Sequence, residues 1–345
     1  GWCFYLFLEG YSPFVVSLLW SFFNSISKPE DVKTKYILVT VSAKLGGLFL
    51  SGLAWMFMSK TFLFKNSVIS EVDTYVYVVK TASYTLLLVP ILILLLMWIV
   101  PEKYFQGYKD KQSVKKRGVV SSDDSSNNTH DAASKVSGFS LLFKHLYVFG
   151  IFGMIFFWEI INVIFNYMRL AVGLKDAENI SQFGAFLYKN AFLTHSLGLI
   201  VVLVGTTSVV RIFGEKISLM VIPILIGAAI LSCFMYQNAS VVLFTYIFIR
   251  AINYAFAYPL RESLYIPTTD DIKFKSKLWI DSFGTKFSKA VGSLYNKLIQ
   301  YVPVHMLFNV QFFFFSLLFA SWTVLAYFLG KKWEEVVKKG EMIGK

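Results

Sequence analysis

Apolar residues fall in runs of about 20, separated by short polar breaks. The runs cover 2–23, 36–58, 75–100, 145–170, 183–210, 217–236, 241–260 and 304–329. At a rise of 1.5 Å per residue, a helix of roughly 20 residues crosses the hydrocarbon core of a bilayer. The pattern predicts eight transmembrane helices. A ninth stretch, 278–299, has the same length but carries Asp281, Lys286, Lys289 and Lys297.

Loop charge decides the ninth. The segment 101–138 is long, polar and rich in Lys and Ser, a composition that predicts a disordered linker. It holds Lys103, Lys109, Lys111, Lys115, Lys116, Arg117 and Lys135, so the positive-inside rule places it in the cytoplasm. With nine spans, sides alternate outward from the linker. Lys28, Lys33, Lys35, Arg211, Lys216, Arg261, Lys273, Lys275, Lys277 and the tail lysines from Lys331 to Lys345 then share its side. Only Lys60, Lys65, Arg169, Lys175 and Lys189 fall outside. If 278–299 did not cross, the basic tail would lie outside as well, so it is read as a span.

The expected layout is three helices (1–100), a cytoplasmic linker (101–138), six helices (139–330) and a cytoplasmic tail (331–345). The fold class is all-α, a polytopic membrane protein. Six-plus-six halves around a central cytoplasmic loop form the major-facilitator arrangement, with substrate between the halves. The chain opens at Gly1 inside an apolar run, so the expectation is that the first three helices of the first half precede it and about nine are present.

Composition agrees. Of 345 residues, 56% are hydrophobic and 16% charged, too apolar for a soluble chain of this length. The net charge of +12 is spread over many loops, which argues against nucleic-acid binding. Cys3 and Cys233 sit in apolar runs and make no disulfide framework. His130, His145, His195 and His305 lack metal-ligand spacing. There is no Walker A, GxGxxG, HExxH or GxSxG pattern, so neither an enzyme nor a cofactor is expected. The sequons at Asn127 and Asn238 read as chance.

Ionisable groups inside spans cost about 2.5–3.5 kcal/mol each on insertion scales and mark polar cavities or partners. Glu9, Lys44, Glu159, Arg250, Asp281, Lys286 and Lys289 are the candidates. Lys80 and Lys297 lie near span ends and can snorkel. Lys44, Glu159 and Arg250 are too deep for that. The alternative for these is a structural ion pair between helices. Lys286 and Lys289 share a helix face and repel unless an anion or carboxylate sits between them. Such a set suits a multiply charged anion, with Asp281 and Glu159 positioning the cations or coupling a proton. Tyr254 and Tyr258 are candidates to stack on a base. Gly47 and Ser51, one turn apart, suggest close helix packing.

Three stretches carry a family resemblance. Residues 8–52 open "LEGYSPFVVSLLWSFFNSISKPEDVKTKY", with an intramembrane Glu followed by Phe-x-Asn and an acidic loop leading to Tyr. Residues 158–170, "WEIINVIFNYMRL", resemble a Glu-bearing helix after a central loop. Residues 261–293, "RESLYIPTTDDIKFKSKLWIDSFGTKFSKAVGS", resemble the most distinctive run: Arg-Glu-x-x-Tyr-Ile-Pro, an acidic loop, spaced lysines and Ile-Asp. The family is the ATP/ADP translocases of plastids and intracellular bacteria, also called nucleotide transport proteins. Where the family has a Lys one turn after the second Glu, this chain has Val163, and a Gly-Lys-Ser-Gly-Gly run reads Ser288-Lys289-Ala290-Val291-Gly292.

The resemblance implies a divergent member with a twelve-helix, major-facilitator-like fold in the inner membrane of a bacterium. It implies transport roles for Glu9, Glu159 and Lys289, and a nucleotide substrate such as ATP or ADP, carried by antiport or a related import. Two other readings stay open: a transporter of another anionic metabolite, including a proton-coupled importer, and a non-transporting membrane scaffold or sensor.

Overall fold

The computed structural model describes residues 20, 35–59, 71–99, 138–203, 207–236 and 238–344. Two helices precede the linker, α1 (Lys35–Met58) and α2 (Glu71–Ile99). After it come a short α3 (Gly138–Lys144), then α4 (Leu146–Asp176), α5 (Ile180–Val201), α6 (Thr207–Tyr236) and α7 (Ala239–Ser263). α8 runs over 272–298, through π-helical turns at Ile272–Ser276 and Ile280–Gly284 into Thr285–Leu298. α9 (Val304–Lys339) is closed by Gly340, whose φ of 64° lies in the left-handed region. The described residues form no sheet, only one isolated bridge between Thr268 and Ile343. The all-α polytopic architecture is the expected one.

Five described helices are long and apolar enough to cross a membrane by length and composition: Leu38–Met58, Leu146–Asp176, Ile212–Tyr236, Ala239–Ser263 and Val304–Lys339. α8 is not in that set, yet it packs along much of the length of α4. It runs beside α4 in the same direction. Ser276 Oγ donates to Gly138 O at 3.1 Å, Phe287 stacks on Phe156 at 6.2 Å, and Gln300 Nε2 donates to the Tyr167 hydroxyl at 3.3 Å. Gly292 permits the close approach: a methyl there would meet Ile160 O and Val163 Cβ, each at 3.1 Å. Small residues let backbones approach where no hydrophobic force separates helix from lipid.

Direction then alternates. α9 returns antiparallel to α4, with Phe315 on Phe165 and Trp322 on Phe157. α6 also opposes α9, with Phe234 on Phe315 at one end and Gly330 against Lys216 at the other. α7 brings the chain back, where Trp333 Nε1 donates to Ser263 O and the Tyr147 hydroxyl to Leu264 O. α5 opposes α1, since Met58 reaches Gly184 and Lys44 reaches Gly198. One end of the bundle therefore gathers Gly138, the 264–271 loop and the tail, where Ile343 N donates to Pro267 O at 2.8 Å. This is called the linker end below. The buried core lies among α4, α6, α7 and α9, with Ile151, Ile161, Leu219, Ile226, Ile249 and Trp322 at its centre.

Some boundaries differ from the expected spans. The run 183–210 is divided between two helices: α5 closes at Val201 and α6 begins at Thr207. Within α6, Gly214 at φ 74° and ψ 175° breaks the helix, in the polar interval that separates the apolar runs 183–210 and 217–236. α4, α7 and α9 extend past their apolar runs, as a helix continues in water where its polar last turns stay hydrogen-bonded. The expected span 2–23 lies outside the described residues, apart from Trp20, which packs edge-on to Tyr258. Asn238 has a local use: its side chain accepts from Ser240 N at 2.9 Å and caps α7.

Opposite ends of the bundle make the topology testable. Single cysteines at Glu178, on the turn after α4, and at Glu341, in the tail, are expected to react with an impermeant maleimide from opposite sides of the membrane, in a background without Cys3 and Cys233. Reaction of both from the same side contradicts the alternating arrangement.

Candidate functional site

Midway along α7 stands Arg250, in an otherwise apolar helix. Its guanidinium is answered by neutral oxygens. Nη1 donates to the Tyr246 hydroxyl at 2.9 Å and to Asn162 Oδ1 at 3.3 Å, and Nη2 donates to the Tyr254 hydroxyl at 2.5 Å. Tyr246 and Tyr254 lie four residues to either side, so both rings reach it along one face of α7. Tyr254 belongs to a π-helical turn, Asn253–Ala257, which shifts the helical register just past Arg250.

α4 contributes a polar stripe at helical spacing, Glu159, Asn162, Asn166 and Arg169. Asn162 is bidentate in role: its Nδ2 donates to Glu159 Oε2 at 3.1 Å while its Oδ1 accepts from Arg250. Glu159 therefore reaches Arg250 through an amide, not directly. Arg169 donates to Asn166 Oδ1 at 2.9 Å, and its guanidinium carbon lies 4.5 Å from the centre of the Tyr246 ring.

α1 and α5 close the group. Lys44 is 4% exposed, and its Nζ stands 4.7 Å over the Tyr254 ring. Its stem lies against Gly198, where a methyl would meet Cδ and Cε at 3.2 Å. The His195 ring packs against Gly47, and its buried Nδ1 has no hydrogen-bond partner. Ser51 turns inward to its own helix, donating to Gly47 O at 2.5 Å. Three cations, Lys44, Arg250 and Arg169, thus alternate with two tyrosine rings, and no ion pair among the described residues involves any of them.

A second charged group lies at the linker end and is paired throughout. Lys277 is fully buried, with Nζ 3.0 Å from Glu262 Oε1 and 2.7 Å from Asp281 Oδ2. The same Nζ stands 5.2 Å over the Tyr265 ring, and Arg261 lies 5.1 Å over Tyr258. These residues join α7 to the first turns of α8.

The family model of the TLC ATP/ADP transporters matches residues 2–333. The chain belongs to this family. No curated protein matches it. Family membership makes the protein an integral membrane transporter whose relatives carry nucleotides, as the resemblance implied.

In this TLC transporter, the candidates separate into three places. Lys44, Glu159 and Arg250 come together across α1, α4 and α7. Asp281 does not position Lys286 or Lys289 as expected. It meets Lys277, four residues before it on the same helix face, a fully buried ammonium that demands a carboxylate. Lys286 and Lys289 are half-buried on α8, between its buried edge (Ser288, Gly292, Asn296) and its exposed apolar face (Phe283, Phe287, Leu294). Tyr258 packs on Trp20 and Arg261, whereas Tyr254 is 37% exposed. Glu9 lies outside the described residues.

Hydropathy reading missed Arg169, Asn162, His195 and Lys277. For Arg169 and Asn162 the signal was present: they extend the Glu159 stripe at steps of three and four. Lys277 sits just before an apolar run and reads as a loop lysine until α8 is seen to start before it.

Removing one partner of a buried pair leaves the others uncompensated, at a cost of about 3–5 kcal/mol. Lys277→Met is expected to lower the thermal unfolding temperature of the detergent-purified transporter strongly. Lys332→Met, from an exposed pair at 3.8 Å, is expected to change it little. Similar unfolding temperatures for both would remove the structural role of the Lys277 group.

Proposed function

We propose that the chain carries nucleotides across the membrane by alternating access, ATP/ADP exchange or a related import, at a site formed by Lys44, Glu159 and Arg250. The observation that carries this is the cluster of cations, without an ion pair among the described residues, between α1 and the helices of the second half. Two guanidinium or ammonium groups without carboxylates in hydrocarbon are costly, and an anion of several charges offsets that cost. Arg250 offers a planar fork that suits phosphate oxygens. The half-exposed Tyr254 ring offers a face for a base. α1 belongs to the half before the linker and α4, α5 and α7 to the half after it, so rocking of one half against the other opens and closes this group toward each side in turn.

Lys286 and Lys289 form the α8 wall of the same route in this reading. The linker 101–138 and the tail 331–345 face the cytoplasm, and the membrane is the inner membrane of a bacterium. The chain divides into a first half (1–100), linker, second half and tail, and performs no covalent chemistry. A second reading, proton-coupled import of an anion, is favoured by Glu159, whose carboxylate accepts from the neutral Asn162 amide.

Glu159→Gln is expected to lower nucleotide uptake far more than membrane abundance, and to abolish any dependence of uptake on a proton gradient. Uptake of labelled ATP and ADP into cells expressing the full-length gene, beside quantitative blotting, measures both. Abundance and uptake falling in parallel would make Glu159 structural. In the same assay Lys289→Ala is expected to weaken nucleotide affinity by about ten- to a hundredfold, the value of a charge-assisted contact. Lys297→Ala, at an exposed position, is expected to change it little. Wild-type affinity in Lys289→Ala would exclude Lys289 from the phosphate route.

A further inference from the structure

The cations of the site form a ladder along α7. Tyr254, Arg250 and Tyr246 follow one another at four-residue steps, about 6 Å of rise each. Lys44 caps the Tyr254 ring at the linker-side end, and Arg169 caps the Tyr246 ring at the opposite end. Arg250 stands between the two rings, 5.1 and 5.4 Å from their centres. Arg169 lies in the last two turns of α4, within reach of water by snorkelling. Its guanidinium instead turns inward to the ring that Arg250 also faces. Its one side-chain hydrogen bond goes to a neutral amide, and its buried Nε has no partner.

A structural arginine at such a place would meet a carboxylate. Among the described residues none is paired with it, and Glu159 is turned to Asn162. Two guanidiniums sharing one ring, with no carboxylate paired to either among the described residues, repel each other, and the buried Arg169 Nε lacks an acceptor. A ligand with negative oxygens on successive groups supplies both. Val163, where a cation stands in the family pattern, is not available for this: its Cβ lies at the tight α4–α8 contact with Gly292.

We infer that Arg169 is a phosphate-binding residue, the outermost rung of the ladder, and that it holds the terminal phosphate of a polyphosphate chain laid along Arg250. The inference rests on the nucleotide reading of this site and extends it to a residue that discriminates by phosphate number. A monophosphate anchored at Lys44 and Arg250 falls short of Arg169. A triphosphate reaches it.

The test is competition against labelled ATP uptake in proteoliposomes containing the full-length transporter, with unlabelled ATP, ADP and AMP as competitors. For Arg169→Gln, the half-inhibitory concentration of ATP is expected to rise about tenfold or more, the value of one charge-assisted contact, while that of AMP changes less than about threefold. Arg169→Lys, which keeps the charge and loses the fork, is expected to fall between. It carries the test if Arg169→Gln does not reach the membrane. A loss that is equal for ATP and AMP, or an unchanged ATP value with normal abundance, overturns the role of Arg169 and leaves the nucleotide reading intact. Wild-type transporter that takes up no ATP and is inhibited by none of the three overturns both.

Discussion

A guanidinium at the middle of a hydrophobic helix must find every acceptor within the protein, because lipid offers none. Arg250 meets that demand with two tyrosine hydroxyls from its own helix and one amide from α4. The rest of the central arrangement follows from this choice of neutral partners. The hydroxyls bring their rings with them, and the rings attract two further cations. Asn162 satisfies Arg250 with one end of its amide and Glu159 with the other, so this carboxylate is held without being spent on an ion pair.

The second charged group is built on the opposite principle. Lys277 is enclosed, and two carboxylates reach it within 3.0 Å. Its charges are answered, and it ties the end of α7 to the beginning of α8 close to where the tail pairs with the 264–271 loop. One group is compensated and lies at an end of the bundle. The other holds cations with no ion pair among the described residues, on surfaces contributed by both sides of the linker.

Backbone irregularity marks the same two places. Two of the π-helical turns carry Tyr254 and Asp281, each four residues from the cation it meets, Arg250 and Lys277. Gly292 has a comparable effect in packing. By admitting α4 to close contact it sets the register of α8, and with it the face on which Lys286 and Lys289 stand.

What the sequence by itself determined was the membrane class, the all-α fold, the family and the depth of Lys44, Glu159 and Arg250. These depend on local quantities: the length of an apolar run, the sign of loop charge, the distance of a charge from a span end, and motifs read contiguously. Loop charge reads the stretch beginning at Leu278 as a crossing, and in the structure α8 lies along α4. Only the tertiary structure decided which charges meet. Asp281 pairs with Lys277 and not with the lysines that follow it, because a buried ammonium one turn before it draws it in. Arg169 reads as a loop-side cation in one dimension, yet it reaches Tyr246 on a helix far along the chain. The break at Gly214 falls in the polar interval between the runs 183–210 and 217–236, where hydropathy places a loop. Periodicity fixes which face of a helix a residue occupies, but the partner across that face is chosen by how the helices pack.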